Sequence, residues 1–222
     1  ADLGFEKPTP IQEEAFPVGM SGQNIVGIAQ TGTGKTLAYM LPILQQLKFS
    51  KDYKPRVIIL VPTRELVVQV VEQIELFASY MSLRILGVYG GVNIKTQMSS
   101  ITQGVDIVVG TPGRTKDLIK RRVLKLDIVN KVVLDEADEM LSMGFKEDLS
   151  YILDTTSKNR QTMLFSATMS REVRSISKKF MKDAEEITVE KLNSGAKNVE
   201  HHVFNVNSRD KYDTLKRIAD FN

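Results

Sequence analysis

Asn24-Ile-Val-Gly-Ile-Ala29 runs directly into Ala29-Gln-Thr-Gly-Thr-Gly-Lys-Thr36, and this junction says more about the architecture than any other part of the chain. The first piece is a short apolar run of the kind found in a buried strand, and the second opens a helical pattern. A loop between a strand and a helix can bind phosphate when its backbone N–H groups are exposed and the main chain can come close, which Gly32 and Gly34 permit. Thr31 and Thr33 alternate with those glycines, Lys35 can place its ammonium between β- and γ-phosphates, and Thr36 offers a hydroxyl to Mg²⁺. The usual form of this loop opens with glycine, and here Ala29 occupies that position. A turn that happens to spell Gly-Lys-Thr is the plainer alternative, and the strand–loop–helix context argues against it.

The same strand type recurs on either side. Arg56–Val61, Arg84–Tyr89, Asp106–Gly110, Lys131–Asp135 and Gln161–Ser166 join Asn24–Ala29 as short runs that are nearly continuous in apolar residues, the pattern of strands covered on both faces. Amphipathic helices lie between them: Leu66, Val70, Ile74, Phe77 and Met81 recur at spacings of three and four, as do Val173, Ile176 and Phe180. Strands of this kind alternating with helices predict an α/β fold with a mostly parallel sheet covered by helices on both faces.

A magnesium-bound triphosphate needs a carboxylate at the tip of a neighbouring strand. Lys131-Val-Val-Leu-Asp-Glu136 supplies one, since Asp135 ends an apolar run where ligands gather in open α/β sheets. Asp135 would hold Mg²⁺, and Glu136 beside it would orient or deprotonate an attacking water. An acidic helix start, with Asp138 and Glu139 in its first turn, is the competing reading.

Composition bounds what else is possible. The chain has 222 residues, 42% hydrophobic and 26% charged, which is ordinary for a globular protein and long enough for one large domain with a fragment of another. A net charge of +3 suits a polyanionic partner without requiring one. Cysteine is absent, so disulfide and thiolate chemistry are excluded. His201 and His202 are neighbours in a strand-like run, where they point to opposite faces and make a poor metal pair. No apolar run is long enough for a membrane span and no signal region opens the chain, so a cytoplasmic monomer is expected. Residues 191–199, rich in Gly, Ser, Asn and Lys, read as a linker after a domain spanning 1–190. Residues 200–222 read as the start of a second domain, and the chain as a piece of a longer one.

Asp135-Glu-Ala-Asp138 is similar to the signature of the DEAD-box RNA helicases, and further motifs follow in the family's order. Phe5 with Lys7-Pro-Thr-Pro-Ile-Gln12 resembles the Q motif, and Pro62-Thr-Arg-Glu-Leu66 through Gln69 resembles motif Ia. Gly90-Gly91 resembles the GG motif, Thr111-Pro-Gly-Arg114 motif Ib and Ser166-Ala-Thr168 motif III. The likeness runs from Gly4 to Glu190. It implies the N-terminal RecA-like domain of an ATP-dependent RNA helicase, which binds ATP with Mg²⁺ and grips single-stranded or duplex RNA. A second RecA-like domain of the same full-length chain would complete the site.

On that resemblance Phe5, Lys7 and Gln12 lie on the adenine side, with the Gln12 amide pairing with the base. Thr9-Pro-Ile-Gln12 is equally a helix start with proline at its first position and a capping glutamine. Pro62, Thr63, Arg64, Gly90, Gly91, Thr111, Pro112, Gly113 and Arg114 would meet the RNA backbone, which positions a strand without reading its bases. Gly90-Gly91 is also a plain turn after a strand, and Thr111 a helix cap before Pro112. The basic residues from Arg114 to Lys131 are read either as a solvated helix face or as further RNA contacts. Val67 and Val68 are expected to pack within their helix. Asp138, Ser166 and Thr168 would relay nucleotide state to the second domain, with both hydroxyls bonding the Asp135 and Asp138 carboxylates; a strand-end turn with a helix cap at Ser170 is the competing reading. A phosphate-loop ATPase of another class and a non-catalytic RNA scaffold are the rival functional readings. The fragment alone is expected to be largely inactive.

Overall fold

The computed structural model describes residues 7–48, 50, 52–189, 204–207 and 209–221. Seven strands, β1 (Ile25–Ile28), β2 (Val57–Leu60), β3 (Ile85–Val88), β4 (Ile107–Gly110), β5 (Lys131–Leu134), β6 (Gln161–Ser166) and β7 (Glu185–Thr188), form one sheet in the order β3-β4-β2-β5-β6-β1-β7. Every neighbouring pair is parallel. Successive side chains on a strand point to opposite faces, so each central strand feeds two cores. In β2, Val57 and Ile59 join one apolar cluster while Ile58 and Leu60 join the other. Each central strand therefore reads as continuously apolar.

One face is covered by α1 (Pro10–Ser21), α2 (Lys35–Gln46) and α3 (Arg64–Phe77), which bury Ile11, Tyr39, Ile43, Val67 and Ile74. On the other lie α4 (Ile94–Gln103), α5 (Pro112–Lys120), α6 (Ala137–Ser142), α7 (Lys146–Thr155) and α8 (Arg171–Phe180), which bury Ile101, Leu118, Met140, Ile152 and Ile176. Helices α1 and α2 meet closely, because a Cβ on Gly19 would stand 2.7 Å from Pro42 Cγ. That contact holds the helix bearing Gln12 against the helix that begins at Lys35.

The six strands expected within residues 1–190 are all present. The seventh, Glu185-Glu-Ile-Thr188, is an edge strand with only Ile187 buried, so it lacks the apolar continuity that marks the others. Val67 is fully buried, but Val68 is 38% exposed and contributes no helix packing of the kind expected, since it projects from the outer side of α3. The chain divides into two compact units, Ala1–Glu190 and Lys191–Asn222. The expected linker lies outside the described residues, as do His201 and His202; residues 204–206 are not in a strand, and α9 (Lys211–Phe221) is the helix of the second unit.

Candidate active site

Because all strands run the same way, the loops that follow them collect at one edge of the sheet. The loop after β1 places Gly32 at φ +81° and Gly34 at φ +87°, conformations that suit glycine and turn backbone N–H groups outward. Gly34 is needed for space as well, since a Cβ there would lie 2.3 Å from Gln12 Nε2. Lys35 then opens α2 with its side chain only 5% exposed, and its Nζ lies 2.9 Å from Glu136 Oε1. The Thr31 hydroxyl donates to the same oxygen at 3.1 Å, and Thr33 closes the loop by donating to the Gln30 carbonyl at 2.7 Å. A cleft of about 350 Å³ brings Gln12, Thr31, Gly32, Gly34, Lys35, Thr36, Asp135 and Glu136 together.

Asp135 is 6% exposed. Its Oδ2 accepts from the Tyr39 hydroxyl at 3.1 Å and its Oδ1 from the Glu136 backbone N–H at 3.0 Å. Burial pushes its carboxyl up to about 6; Lys35 pulls against that rise and the Glu136 charge adds to it. Burial, and then Asp135 itself, raise the Tyr39 phenol, so Tyr39 stays a donor. Glu136 adopts φ 52°, ψ 51°, a left-handed conformation that a residue with a Cβ seldom takes without support from its surroundings. Here the support is the bond to Asp135 Oδ1 and the pairing with Lys35. Two carboxylates against one ammonium leave this cluster with a net negative charge and hard oxygen donors, including the Thr36 hydroxyl. That donor set fits Mg²⁺. No group of three or more His, Cys, Asp or Glu side chains that could hold a metal exists among the described residues, so the remaining ligands would have to come from phosphate and water.

Gln12 has both ends of its amide engaged. Its Oε1 accepts from the Thr9 backbone N–H at 3.0 Å and its Nε2 donates to the Gly34 carbonyl at 3.1 Å. The helix-cap reading holds, and the same side chain ties α1 to the phosphate-type loop. Lys7 is exposed, and Phe5 lies outside the described residues.

Asp138, Ser166 and Thr168 do meet, though not as expected. Thr168 donates to Asp138 Oδ2 through both its hydroxyl, at 2.8 Å, and its backbone N–H, at 3.0 Å. Ser166 Oγ instead accepts from the Asp138 backbone N–H at 3.3 Å and donates to the Thr168 carbonyl at 2.9 Å. Neither hydroxyl bonds the Asp135 carboxylate, which faces Tyr39 of α2, while Asp138 lies in the first turn of α6. Burial alone would raise the Asp138 carboxyl, but the Thr168 hydroxyl and neighbouring donors outweigh it and hold the group below its ordinary value.

The loops after β2, β3 and β4 hold the remaining candidates. Pro62 and Pro112 are buried and can act only by shaping the backbone. Thr63 caps α3 by accepting from the Leu66 N–H at 3.3 Å, and exposed Arg64 stacks over Tyr89 at 5.2 Å. Gly90 and Gly91 form an exposed turn, with Gly91 at φ +80° and open space where a side chain would project. Thr111 precedes α5 without a side-chain cap bond, and Gly113 is exposed. Arg114 donates to the Val92 carbonyl at 3.2 and 3.3 Å and to Gln97 Oε1 at 2.8 Å, so it braces the loop after β3. Beyond it Lys116 pairs with Asp148 and Arg121 with Asp117, the behaviour of a solvated face. Lys131 belongs to neither, because it begins β5 at the opposite end of the sheet.

Sequence reasoning missed Tyr39, whose one signal was a lone hydroxyl four residues after Lys35, on the same helix face. It also missed Gln97 and Tyr89, the partners of Arg114 and Arg64, which no spacing along the chain connects to them.

A profile described as DEAD/DEAH box helicase matches residues 9–176. The chain is 44% identical over 218 residues to "ATP-dependent RNA helicase CshA" of Listeria monocytogenes, covering 98% of this chain and 42% of that protein. It is 48% identical over 206 residues to "RNA helicase CrhR" of Synechocystis sp., covering 93% of this chain and 42% of the relative. The chain thus spans about two fifths of the length of these curated relatives. Among solved structures it is similar to a DEAD box protein from Methanococcus jannaschii, at TM-score 0.81 and 39% identity, covering 98% of this chain and 58% of that one. A hypothetical ATP-dependent RNA helicase from Sulfolobus tokodaii gives TM-score 0.78 and 40% identity, with 85% and 54% covered. With the fold, the ordered motifs and the matched profile in agreement, the chain belongs to the DEAD/DEAH box helicase family.

Proposed function

We propose that this chain is the ATP-binding half of an RNA helicase that couples ATP binding and hydrolysis to gripping RNA and opening short duplexes. The observation that carries this reading is the Lys35–Glu136 pair at 2.9 Å beside buried Asp135. Lys35 is held by a carboxylate that a triphosphate can replace. The exchange gives the phosphates an ammonium and frees Glu136 to orient a water and accept its proton. Thr36 and Asp135 would hold Mg²⁺, which supplies charge neutralisation at the phosphates when bound. Gly32 and Gly34 offer backbone N–H groups to phosphate, with Thr31 and Thr33 lining the approach, while Gln12, with Phe5 and Lys7 before it, provides the adenine side.

The exposed turn at Gly90-Gly91, with Thr63, Arg64, Thr111, Gly113 and Arg114, forms the RNA edge, shaped from beneath by Pro62 and Pro112. Its contacts fall on the sugar–phosphate backbone, so affinity should drop with salt and show little base preference. Asp138 with Ser166 and Thr168 is the relay toward a second RecA-like domain. Residues 1–190 form the first domain, 191–199 the linker and 200–222 the start of that second domain, in a monomeric cytoplasmic protein. No helix among the described residues is long and apolar enough to cross a membrane.

No arginine lines the cleft among the described residues. Phosphate-loop enzymes commonly rely on one aimed at the γ-phosphate, worth roughly 10³–10⁵ in rate. The fragment alone should therefore turn over ATP slowly, with the arginine coming from the second domain. Steady-state ATPase of the full-length protein with and without single-stranded RNA tests this reading. RNA-stimulated hydrolysis is expected, and turnover indifferent to RNA would overturn it.

A further inference from the structure

Helix α8 carries a second cationic surface that the motifs do not include. Its buried side is Val173 and Ile176, and its outer side presents Arg171, Arg174, Lys178 and Lys179, all exposed. A shallow depression on the surface is lined only by these four and Ser175. Glu172 is the one carboxylate in the helix, and it lines a different depression, with Asp138 and Thr168. The contrast with α5 is plain. There Lys116 and Arg121 pair with Asp148 and Asp117, and Lys120 stacks over Tyr151. Among the described residues no carboxylate forms an ion pair with any of the four α8 cations; Lys179 stacks over Phe180 at 4.5 Å.

Such a surface works against the helix. Arg171 and Arg174 are three apart, and Arg174 and Lys178 four apart, so like charges repel along one ridge. Lys178 and Lys179 gain from the helix C-terminus, but Arg171 lies in the first turn, where a cation is disfavoured. An external polyanion would relieve both costs. The patch exposes no apolar anchor or stacking platform of the kind a protein partner or unpaired bases would need. What four flexible cations can recognise is a row of phosphates.

We propose that the outer face of α8 binds the phosphate backbone of RNA lying outside the segment held by the loops after β2, β3 and β4. This rests on the RNA-helicase reading above. The surface is separate from that edge, because β6, which leads into α8, stands two strand spacings, roughly 10 Å, from β2, the nearest of those strands. It is also joined to the relay, since α8 opens three residues after Thr168, which is bonded to Asp138.

The test compares two RNAs bound to the full-length protein, a short single strand and the same strand carrying a duplex extension, by fluorescence anisotropy over a salt series. The extended RNA should bind wild type more tightly. Arg174→Glu with Lys178→Glu should lose that surplus, about tenfold or more, and lower the slope of log affinity against log salt by about two. Binding of the short strand should stay within about twofold. Arg174→Gln with Lys178→Gln, which removes charge without reversing it, should act in the same direction by a smaller factor, and circular dichroism should show both variants folded. Unchanged affinity and slope for the extended RNA would overturn the proposal and leave the patch to an acidic protein. A wild type that fails to bind even the short strand would contradict the RNA-helicase reading, and this inference with it.

Discussion

Strand β5 bears a charge at each end, and the two ends are built differently. At its start, half-buried Lys131 donates to Gln46 Oε1 at 2.6 Å and Gln161 Oε1 at 2.5 Å. The amide nitrogens of those glutamines donate in turn to the carbonyls of Gly19, Met20 and Gln23, at and just beyond the end of α1. Burial alone lowers the Lys131 ammonium below its ordinary value. The network is neutral except for one cation, and it ties both α1 and α2 to the sheet. Just past the other end, Asp135 and Glu136 surround a single ammonium, beside three residues in left-handed conformations, Gly32, Gly34 and Glu136. The first cluster is satisfied by groups that have nothing else to do. In the second, the charges hold one another on a backbone that is costly to maintain. Buried polarity alone does not mark a binding site; charges able to exchange partners do.

The largest consequence concerns Glu136. In the full-length protein Glu136→Gln should lower RNA-stimulated ATP turnover by roughly 10²–10⁴, because the amide can accept a bond from water but cannot take its proton. Turnover within a few-fold of wild type would remove Glu136 from the chemistry.

Lys131→Met should act on stability alone. It leaves the oxygens of Gln46 and Gln161 short of a donor, at a cost of about 1–3 kcal/mol, visible as a melting point lower by a few degrees. Nucleotide affinity should be unchanged, and a parallel loss of ATP binding would mean that the two ends of β5 are not separable.

An effect of up to about 3 kcal/mol, present only where the carboxyl is ionised, is expected from Asp135→Asn in the nucleotide-free protein. The Asp135 carboxyl is raised from 3.8 to about 6. Its contribution to stability is therefore full below about pH 4 and lost as pH rises through about 6. The asparagine variant should melt increasingly above wild type as pH rises from about 4 to about 6, and the difference should then level off. A difference that stays flat across that range would show that Asp135 carries no such burden.

Much of this is legible in the amino-acid sequence. Six strands could be read because burial on both faces leaves a continuous apolar run, and the phosphate-type loop and Asp135-Glu136 could be placed because each follows such a run. The edge strand β7 could not, since two glutamates occupy half its length. Nor could the pairings, because spacing along one chain does not say which distant side chains meet. Lys35 and Glu136 are 101 residues apart, and Lys131 and Gln46 are 85 apart. Arg114 and Lys131 looked alike in a basic run, yet one braces a loop at the carboxyl edge of the sheet and the other a helix end at the opposite edge.

The central claim is that Glu136 holds Lys35 until triphosphate replaces it. Calorimetric titration of Mg·ATP into wild type, Lys35→Ala, Glu136→Gln and the double variant measures this as a coupling between the two side chains. Lys35→Ala should weaken binding by about 1.5–3 kcal/mol through loss of a charge-assisted contact. Glu136→Gln should bind at least as tightly as wild type, because a competitor for the ammonium is gone, and that gain should vanish when Lys35 is absent. Weaker binding by Glu136→Gln, to the same degree with and without Lys35, would contradict the account.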